Sequence, residues 1–334
     1  MTILLEFEAI GTTWSIQLEI ANETHQPELK TLLQAEITSV VDSYDKLYSR
    51  FRDDSSIAEI RHFTGSGNNS IEKSWHFPEH AQDLFSFYSK MEKITSGLFT
   101  ASVGHSLEEI GYDATYSLGN KASSLTQNKN QHPSLRFNDL IVTYKDGVTL
   151  LTVPSQNDST TQPLVLDFGA AGKGQLVDLI SKTLDHHSAK PSTSIVNGSG
   201  DILHQGASVI TVGLENPYNA KSVIGTVKIR NQALCGSAPN RRTWQVPNEN
   251  HISSDQTTST KYHHILNPET LQSPTHIAAT WVIARTALEA DGLATGLFLA
   301  PASVLQAAFD FEYLILYTTG KVEKSSGFIA ELYV

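Results

Sequence analysis

The sequence predicts an α+β fold of mixed, largely antiparallel sheets with flanking helices, and three observations predict it. Short apolar or alternating stretches succeed one another as candidate strands over most of the chain. Amphipathic helices fall between some of these strands but not after each one, so regular βαβ winding is not expected. A glycine-rich turn, Gly169 to Gly174, separates the apolar run Leu164–Leu166 from a helical stripe of Val177, Ile180 and Leu184.

Taken in order, residues 3–20 alternate around Gly11-Thr12-Thr13 and predict a β-hairpin. From Pro27 to Tyr48 the spacing of Leu29, Leu33, Ile37, Val40, Val41, Tyr44 and Leu47 predicts a long amphipathic helix. A second helix is expected from Pro78 to Thr95, burying Ala81, Leu84, Phe85, Tyr88 and Met91 and stopping at Gly97. Strands are expected at Leu140–Tyr144, Thr149–Val153, Leu164–Asp167, Ser194–Asn197, Val209–Leu214, Val223–Ile229 and Thr280–Ala284. A buried helix follows from Thr286 to Ala300, and a last hairpin turns at Thr319-Gly320. The polar stretches 118–138 and 245–262 read as surface loops bordering a substrate entrance.

With 334 residues, 40% of them hydrophobic, the chain can bury one large core or two linked ones. Residues 1–334 are read as one domain, or as one built of two lobes meeting at the 164–178 turn. The net charge of −11, without any Lys/Arg cluster, argues against nucleic acid as a partner. A small anionic ligand would need a local solution, a metal ion or backbone amides. The lone Cys235 excludes a disulfide framework and a CxxC zinc site. Glu6 and Glu8 interrupt what a secretory leader would need, and no apolar run reaches the roughly 18 residues of a membrane span. The expected location is cytoplasmic.

Several catalytic motifs are absent. Asp167 stands where the first glycine of a Walker motif would be, so Lys173 is not a Walker lysine. No GxGxxG opens a helix, and neither GxSxG nor HExxH occurs. What remains is a scattered set of oxygen and nitrogen groups. The strand–turn–helix around Lys173 brings backbone N–H groups toward a possible anion, a geometry that packing alone also produces. Asp291 and Thr295, four residues apart on an apolar helix, share one face and suit a hard cation such as Mg²⁺. The same pair fits a structural role, with Asp291 bonded to a neighbouring loop and Thr295 packed. His264 precedes Ile265 and the Asn267-Pro268 turn, and Asn197 to Asp201 form a turn leaving a strand.

These segments, in this order, resemble those of the ApbE-like flavin transferases, which move FMN from FAD to a threonine of a partner protein. AIGTTW is similar to that family's Met-Gly-Thr turn, YSRFRDDSSIAEI to its Ser-x-(aromatic)-x-x-(Asp)-Ser segment, and GLFTASVG to its Gly-x-Phe-Asp-x-Thr-Val-Gly. LDFGAAGKGQLVD, HHILNP and ADGLATGLF resemble its Asp-Leu-Gly-Ala-x-x-Lys-Gly-x-x-x-Asp, His-Ile-x-Asp-Pro and Ala-Asp-x-x-x-Thr stretches.

The resemblance implies an ApbE-like fold with a central ligand cleft. It implies Mg²⁺ held by the Ala170 carbonyl, the Asp291 carboxylate and the Thr295 hydroxyl, with FAD as substrate. Asp167 and Lys173 would lie against the FAD; Ile10, Phe51, Leu98, Phe99 and Thr100 would line its flavin and adenine pocket. His264, with Ile265, would stand near the diphosphate, and its imidazole suits a general base for the acceptor hydroxyl. The chain departs from the pattern at Ser199-Gly200-Asp201 (Gly-Gly-Asp), Cys235-Gly236-Ser237 (Thr-Ser-Gly), Thr100 (Asp) and Ile10 (Met). The leading expectation is therefore a flavin transferase acting on an acceptor protein's threonine. The alternatives are an FAD pyrophosphatase yielding FMN and AMP, and a non-catalytic flavin-binding protein.

Overall fold

Alternation sets the strands and 3.6-residue periodicity sets the helices of the computed structural model, which describes residues 1–21, 26–65, 72–115, 117–118, 135–154, 163–247 and 259–333. The first half of the chain forms β1 (Thr2–Ala9), β2 (Thr12–Glu19), α1 (Gln26–Tyr48), α2 (Ser56–Gly65), β3 (Lys73–Pro78), α3 (Ala81–Ile94), α4 (Gly104–Glu109), β4 (Ile141–Lys145) and β5 (Val148–Val153). Next come α5 (Gly172–His186), β6 (Thr193–Gly198), β7 (Asp201–Gly206), β8 (Ile210–Asn216), β9 (Asn219–Ile229), β10 (Gln232–Ser237), β11 (Thr243–Pro247) and β12 (Ser259–His263). The chain ends with β13 (Ile277–Ala284), α6 (Ala287–Gly296), α7 (Ala302–Gln306), β14 (Glu312–Tyr317), β15 (Val322–Lys324) and β16 (Ala330–Leu332).

Two units emerge. The first, Met1–Asp45 with Gly169–Asn240 and His276–Val334, holds an eight-stranded sheet in the order β1-β2-β6-β7-β10-β13-β14-β15. Every neighbouring pair in it is antiparallel. All eight residues of β13 are buried, because this central strand is covered on both faces. On one face Trp281 and Ile283 join Leu214, Ile224 and Val227 of a three-stranded sheet, β16-β9-β8. On the other face Thr280 of β13 reaches α6, donating to the Ala294 carbonyl at 2.7 Å. α5 packs against α6 so closely that a Cβ at Gly174 would fall on the Ala287 carbonyl and the Asp291 side chain.

The second unit, Lys46–Phe168 with Arg241–Thr275, packs a β3-β5-β4 sheet and α3 around aromatic rings. Phe85 lies 5.1 Å from Phe77, 5.8 Å from Phe137 and 5.5 Å from Phe168, centroid to centroid. A second cluster gathers Leu107, Ile110 and Tyr112 beneath Trp244, Val246 and Tyr262 of the β11–β12 hairpin. Trp244 Nε1–H closes it by donating to the Ile110 carbonyl at 2.7 Å.

The mixed, largely antiparallel α+β architecture is as expected, with local corrections. Leu164–Asp167 is extended but joins no sheet: it runs beside a 3₁₀ turn at Ala101–Val103, with Asp167 N–H donating to Ala101 O and Gly104 N–H to Val165 O. Burial of Leu164, Val165 and Leu166 alike gives such a run the look of a core strand. Within 245–262, Gln245–Pro247 and Ser259–Tyr262 are strand rather than loop, because Val246 and Tyr262 face the apolar cluster; residues 248–258 lie outside the described ones. Of the 118–138 stretch, 119–134 lie outside them too, and Phe137 is buried at 1% exposure. The helix expected over 286–300 ends at Gly296, and α2 was not anticipated. No helix among the described residues is long and apolar enough to cross a membrane.

Gly174→Ala should lower unfolding free energy by about 1–3 kcal/mol through overpacking between α5 and α6. Chemical denaturation measures this, and an unchanged midpoint would mean the two helices separate without cost.

Candidate active site

α6 carries both Asp291 and Thr295, and its first turn is fixed from outside. Asp178 of α5 accepts the Ala287 N–H at 2.8 Å and the Leu288 N–H at 2.9 Å. The Thr286 hydroxyl accepts the Glu289 N–H at 3.2 Å as N-cap. Three N–H groups that a helix start leaves open are thus satisfied, and a carboxylate faces the positive end of the helix dipole. On β10, the buried Cys235 thiol faces the Ala287 carbonyl at 3.7 Å and the Ser237 hydroxyl bonds with that of Thr295 at 3.2 Å. Burial, then the charges of Asp201 and Asp291, raise the Cys235 pKa, so this thiol is neutral and unreactive.

Asp291 turns toward the start of α5. Its Oδ2 accepts the Gly174 N–H at 2.9 Å, so one helix's carboxylate caps another helix. Its Oδ1 faces Lys173 Nζ at 3.8 Å. Lys173 is paired directly with Asp201, whose side chain is 1% exposed at the start of β7. Burial and then the Asp201 charge push Asp291 above the ordinary carboxyl range, against the pull of Lys173 and the Gly174 N–H. For Lys173, burial would lower the pKa, but Asp201 and then Asp291 outweigh it and hold the ammonium charged. Ala170 lies in the turn that leads into α5, two residues before its first, and Ile10 holds a left-handed φ of 43° in the β1–β2 turn.

The donor set fits a hard cation. Among the described residues no group of three or more His, Cys, Asp or Glu could enclose an ion. A cation held by one carboxylate, one hydroxyl and a carbonyl would keep ligand positions for water and for substrate oxygens, as Mg²⁺ does.

In the second unit, Asp167 forms an ion pair with Arg50, which also donates to the Tyr112 carbonyl at 2.8 Å. The Arg50 guanidinium lies 4.1 Å from the Phe51 ring centroid, a cation–π contact. Phe99 is in the aromatic core, 2% exposed and 5.2 Å from Tyr88, flanked by the part-exposed Leu98 and Thr100. His264 is partly exposed and Ile265 buried, after a turn that His263 organises. His263 Nδ1 accepts the Ile265 N–H at 3.2 Å, and its Nε2–H therefore donates to the Pro274 carbonyl at 2.8 Å.

The structure brings Lys173 and Asp291 together, sets Thr295 one turn along on the same helix, and joins Asp167 to a cation. Asp201 was read only as part of the Asn197–Asp201 turn, and Asp178, Arg50 and His263 were not singled out from sequence. Each is a charged or titratable residue beside an apolar run, and that placement is the signal that could have drawn attention to them.

Fold and site together define an α+β protein with a buried acid–lysine centre at a helix N-terminus. The model of the ApbE family matches residues 10–312, and the chain belongs to that family. An FAD:protein FMN transferase of Klebsiella pneumoniae (strain 342) is 22% identical over 97% of this chain and 85% of its own length. One from Escherichia coli (strain K12) is also 22% identical, over 89% and 78%. The fold is similar to that of the ApbE protein of Thermotoga maritima, with a TM-score of 0.75 at 18% identity over 98% of both chains. The flavin transferase ApbE of Vibrio cholerae aligns with a TM-score of 0.68 at 18% identity, again over 98% of each chain.

Asp178→Asn should cost about 1–2 kcal/mol of stability, since an amide cannot accept both N–H groups at the start of α6; equilibrium unfolding measures it. A pH effect follows from His263, whose pKa is lowered by burial against the opposing Pro274 hydrogen bond. The folded ring takes a proton less readily than the unfolded one, so its contribution is complete above the ordinary histidine pKa and declines as pH falls below it. His263→Gln should accordingly lose less melting temperature than the parent between pH 7 and pH 5. Equal slopes in the two melts would remove His263 from this role.

Proposed function

We propose that this protein transfers the FMN half of FAD to a threonine hydroxyl of an acceptor protein and releases AMP, with Mg²⁺ as its cation. The observation that carries the reading is Asp291, buried on α6, bonded to the Gly174 N–H at 2.9 Å and facing Lys173 at 3.8 Å. Membership of the ApbE family and relatives named FAD:protein FMN transferase support it.

Asp291, Thr295 and the Ala170 carbonyl would hold the Mg²⁺. Bound there, it would neutralise diphosphate oxygens and polarise the phosphorus under attack. The Lys173 ammonium adds a fixed positive charge, and the N-terminus of the 15-residue α5 adds backbone dipole. In a chain of net charge −11 these local features make an anionic substrate tolerable. His264 takes the proton from the acceptor hydroxyl as general base, on a turn that His263 holds in one tautomer. Asp167, ion-paired with Arg50, is a fixed acceptor for ring N–H groups of FAD. Ile10, Phe51, Leu98, Phe99, Thr100 and Ile265 belong to the same reading as contacts for its ring systems.

Incubation with FAD and Mg²⁺, with and without a threonine-bearing acceptor domain, tests the proposal by AMP release and acceptor mass. AMP should appear only with acceptor, whose mass rises by one FMN. Release without acceptor would make the protein a hydrolase, and no release a flavin binder. His264→Ala should slow transfer by about 10²–10⁴-fold while FAD affinity stays nearly intact. Unchanged turnover would take His264 out of the mechanism.

A further inference from the structure

Lys173 stands between two buried carboxylates and is not shared equally. Its Nζ is in direct contact with Asp201, while Asp291 Oδ1 is 3.8 Å away, outside hydrogen-bond range. Asp201 is rigidly presented. Ser199 and Gly200 form a tight turn at φ 58° and 104°, the Gly200 N–H donates to Asn197 Oδ1 at 2.8 Å, and Asp201 pairs with Gly198 across the β6–β7 hairpin. Asp291 is also fixed, through its Oδ2 bond to Gly174 and its place on α6. The side chain free to choose between the two acids is therefore that of Lys173.

We propose that Asp201 is a positioning residue that holds the Lys173 ammonium away from Asp291 and so keeps that carboxylate available to a divalent cation. This rests on the reading of Asp291 as a cation ligand. Ammonium and metal ion compete for the same carboxylate oxygens. Without Asp201, a lysine in this surrounding has one nearby counter-charge left, and leaving it unpaired is costly. It closes onto Asp291, and a cation must displace it. With Asp201 present, the ammonium stays in contact with that carboxylate, and Asp291 Oδ1 is left 3.8 Å from it.

Mn²⁺ binding, measured by calorimetry and by electron paramagnetic resonance of the free ion, tests this in Asp201→Asn, Lys173→Met and the double variant. Thermal melts establish that each is folded. Asp201→Asn should weaken Mn²⁺ binding by about tenfold when Lys173 is present and by less than about threefold when residue 173 is Met. An equal loss in both backgrounds means Asp201 acts only through its charge, and it overturns the proposal; so does no loss in either. Should the single Asn variant not fold, the double variant against Lys173→Met decides alone, because neither leaves an ammonium unpaired. A loss there of about tenfold or more is the overturning result. Absence of Mn²⁺ binding by the parent protein would reject the cation reading itself. Binding by the parent, lost in Asp291→Asn but unchanged in Asp201→Asn, would reject this inference alone.

Discussion

A carboxylate withdrawn from water needs donors, and the way Asp291 finds them organises the first unit. Its partner is the Gly174 N–H, a group that the start of α5 leaves without an intrahelical acceptor. One bond therefore meets two needs, the desolvated charge of one helix and the open N-terminus of another. It requires the two helices to approach until Gly174 has no room for a Cβ. The reciprocal bond runs the other way, from the first turn of α6 to Asp178 of α5. Two helices that cap each other through carboxylates cannot slide without breaking both contacts, and the geometry at Lys173 inherits that rigidity.

The electrostatics follow from this frame. The sheet supplies Asp201 at a hairpin corner, α5 supplies Lys173 from its first turn, and α6 supplies Asp291. Burial makes each charge expensive alone and affordable only as a set. Burial first, and then the charges of Asp201 and Asp291, push the Cys235 thiol up beside them. Such a centre sets one lysine against two buried acids.

Much of this frame was legible in the sequence because it rests on local pattern. The stripe from Leu29 to Leu47 specifies α1, and spacing of four puts Asp291 and Thr295 on one face. The missing parts depend on partners distant along the chain. Asp178 meets Ala287 across 109 positions and Lys173 meets Asp201 across 28, and no periodicity encodes either pairing. Leu164–Leu166 misled for the opposite reason. Its composition is that of a core strand, yet its neighbour is a 3₁₀ turn that offers isolated hydrogen bonds instead of a ladder. Around residue 250 the polar average hid the alternation of Trp244, Val246 and Tyr262 that builds a hairpin.

Two departures from the family pattern, Thr100 and Ser237, change the hydrogen bonding around them. Thr100 stands where the pattern has an acid. Glu92, 3% exposed, already accepts the Phe137 N–H at 3.1 Å and the Asn138 N–H at 2.7 Å. Its Oε1 also accepts a hydrogen bond from the Thr100 hydroxyl, and Thr100 Oγ1 in turn accepts the Ser102 N–H at 3.1 Å. A second carboxylate at position 100 would face Glu92 across a hydrogen-bond distance, and one of the two would have to remain protonated. Threonine removes that conflict while still capping the 3₁₀ turn that leads into α4. Ser237 stands where the pattern has glycine, and its added hydroxyl can donate to or accept from that of Thr295. Thr100 thus keeps hydrogen-bonding capacity at the cost of formal charge, Ser237 adds a hydroxyl, and neither removes a group that the cation reading depends on.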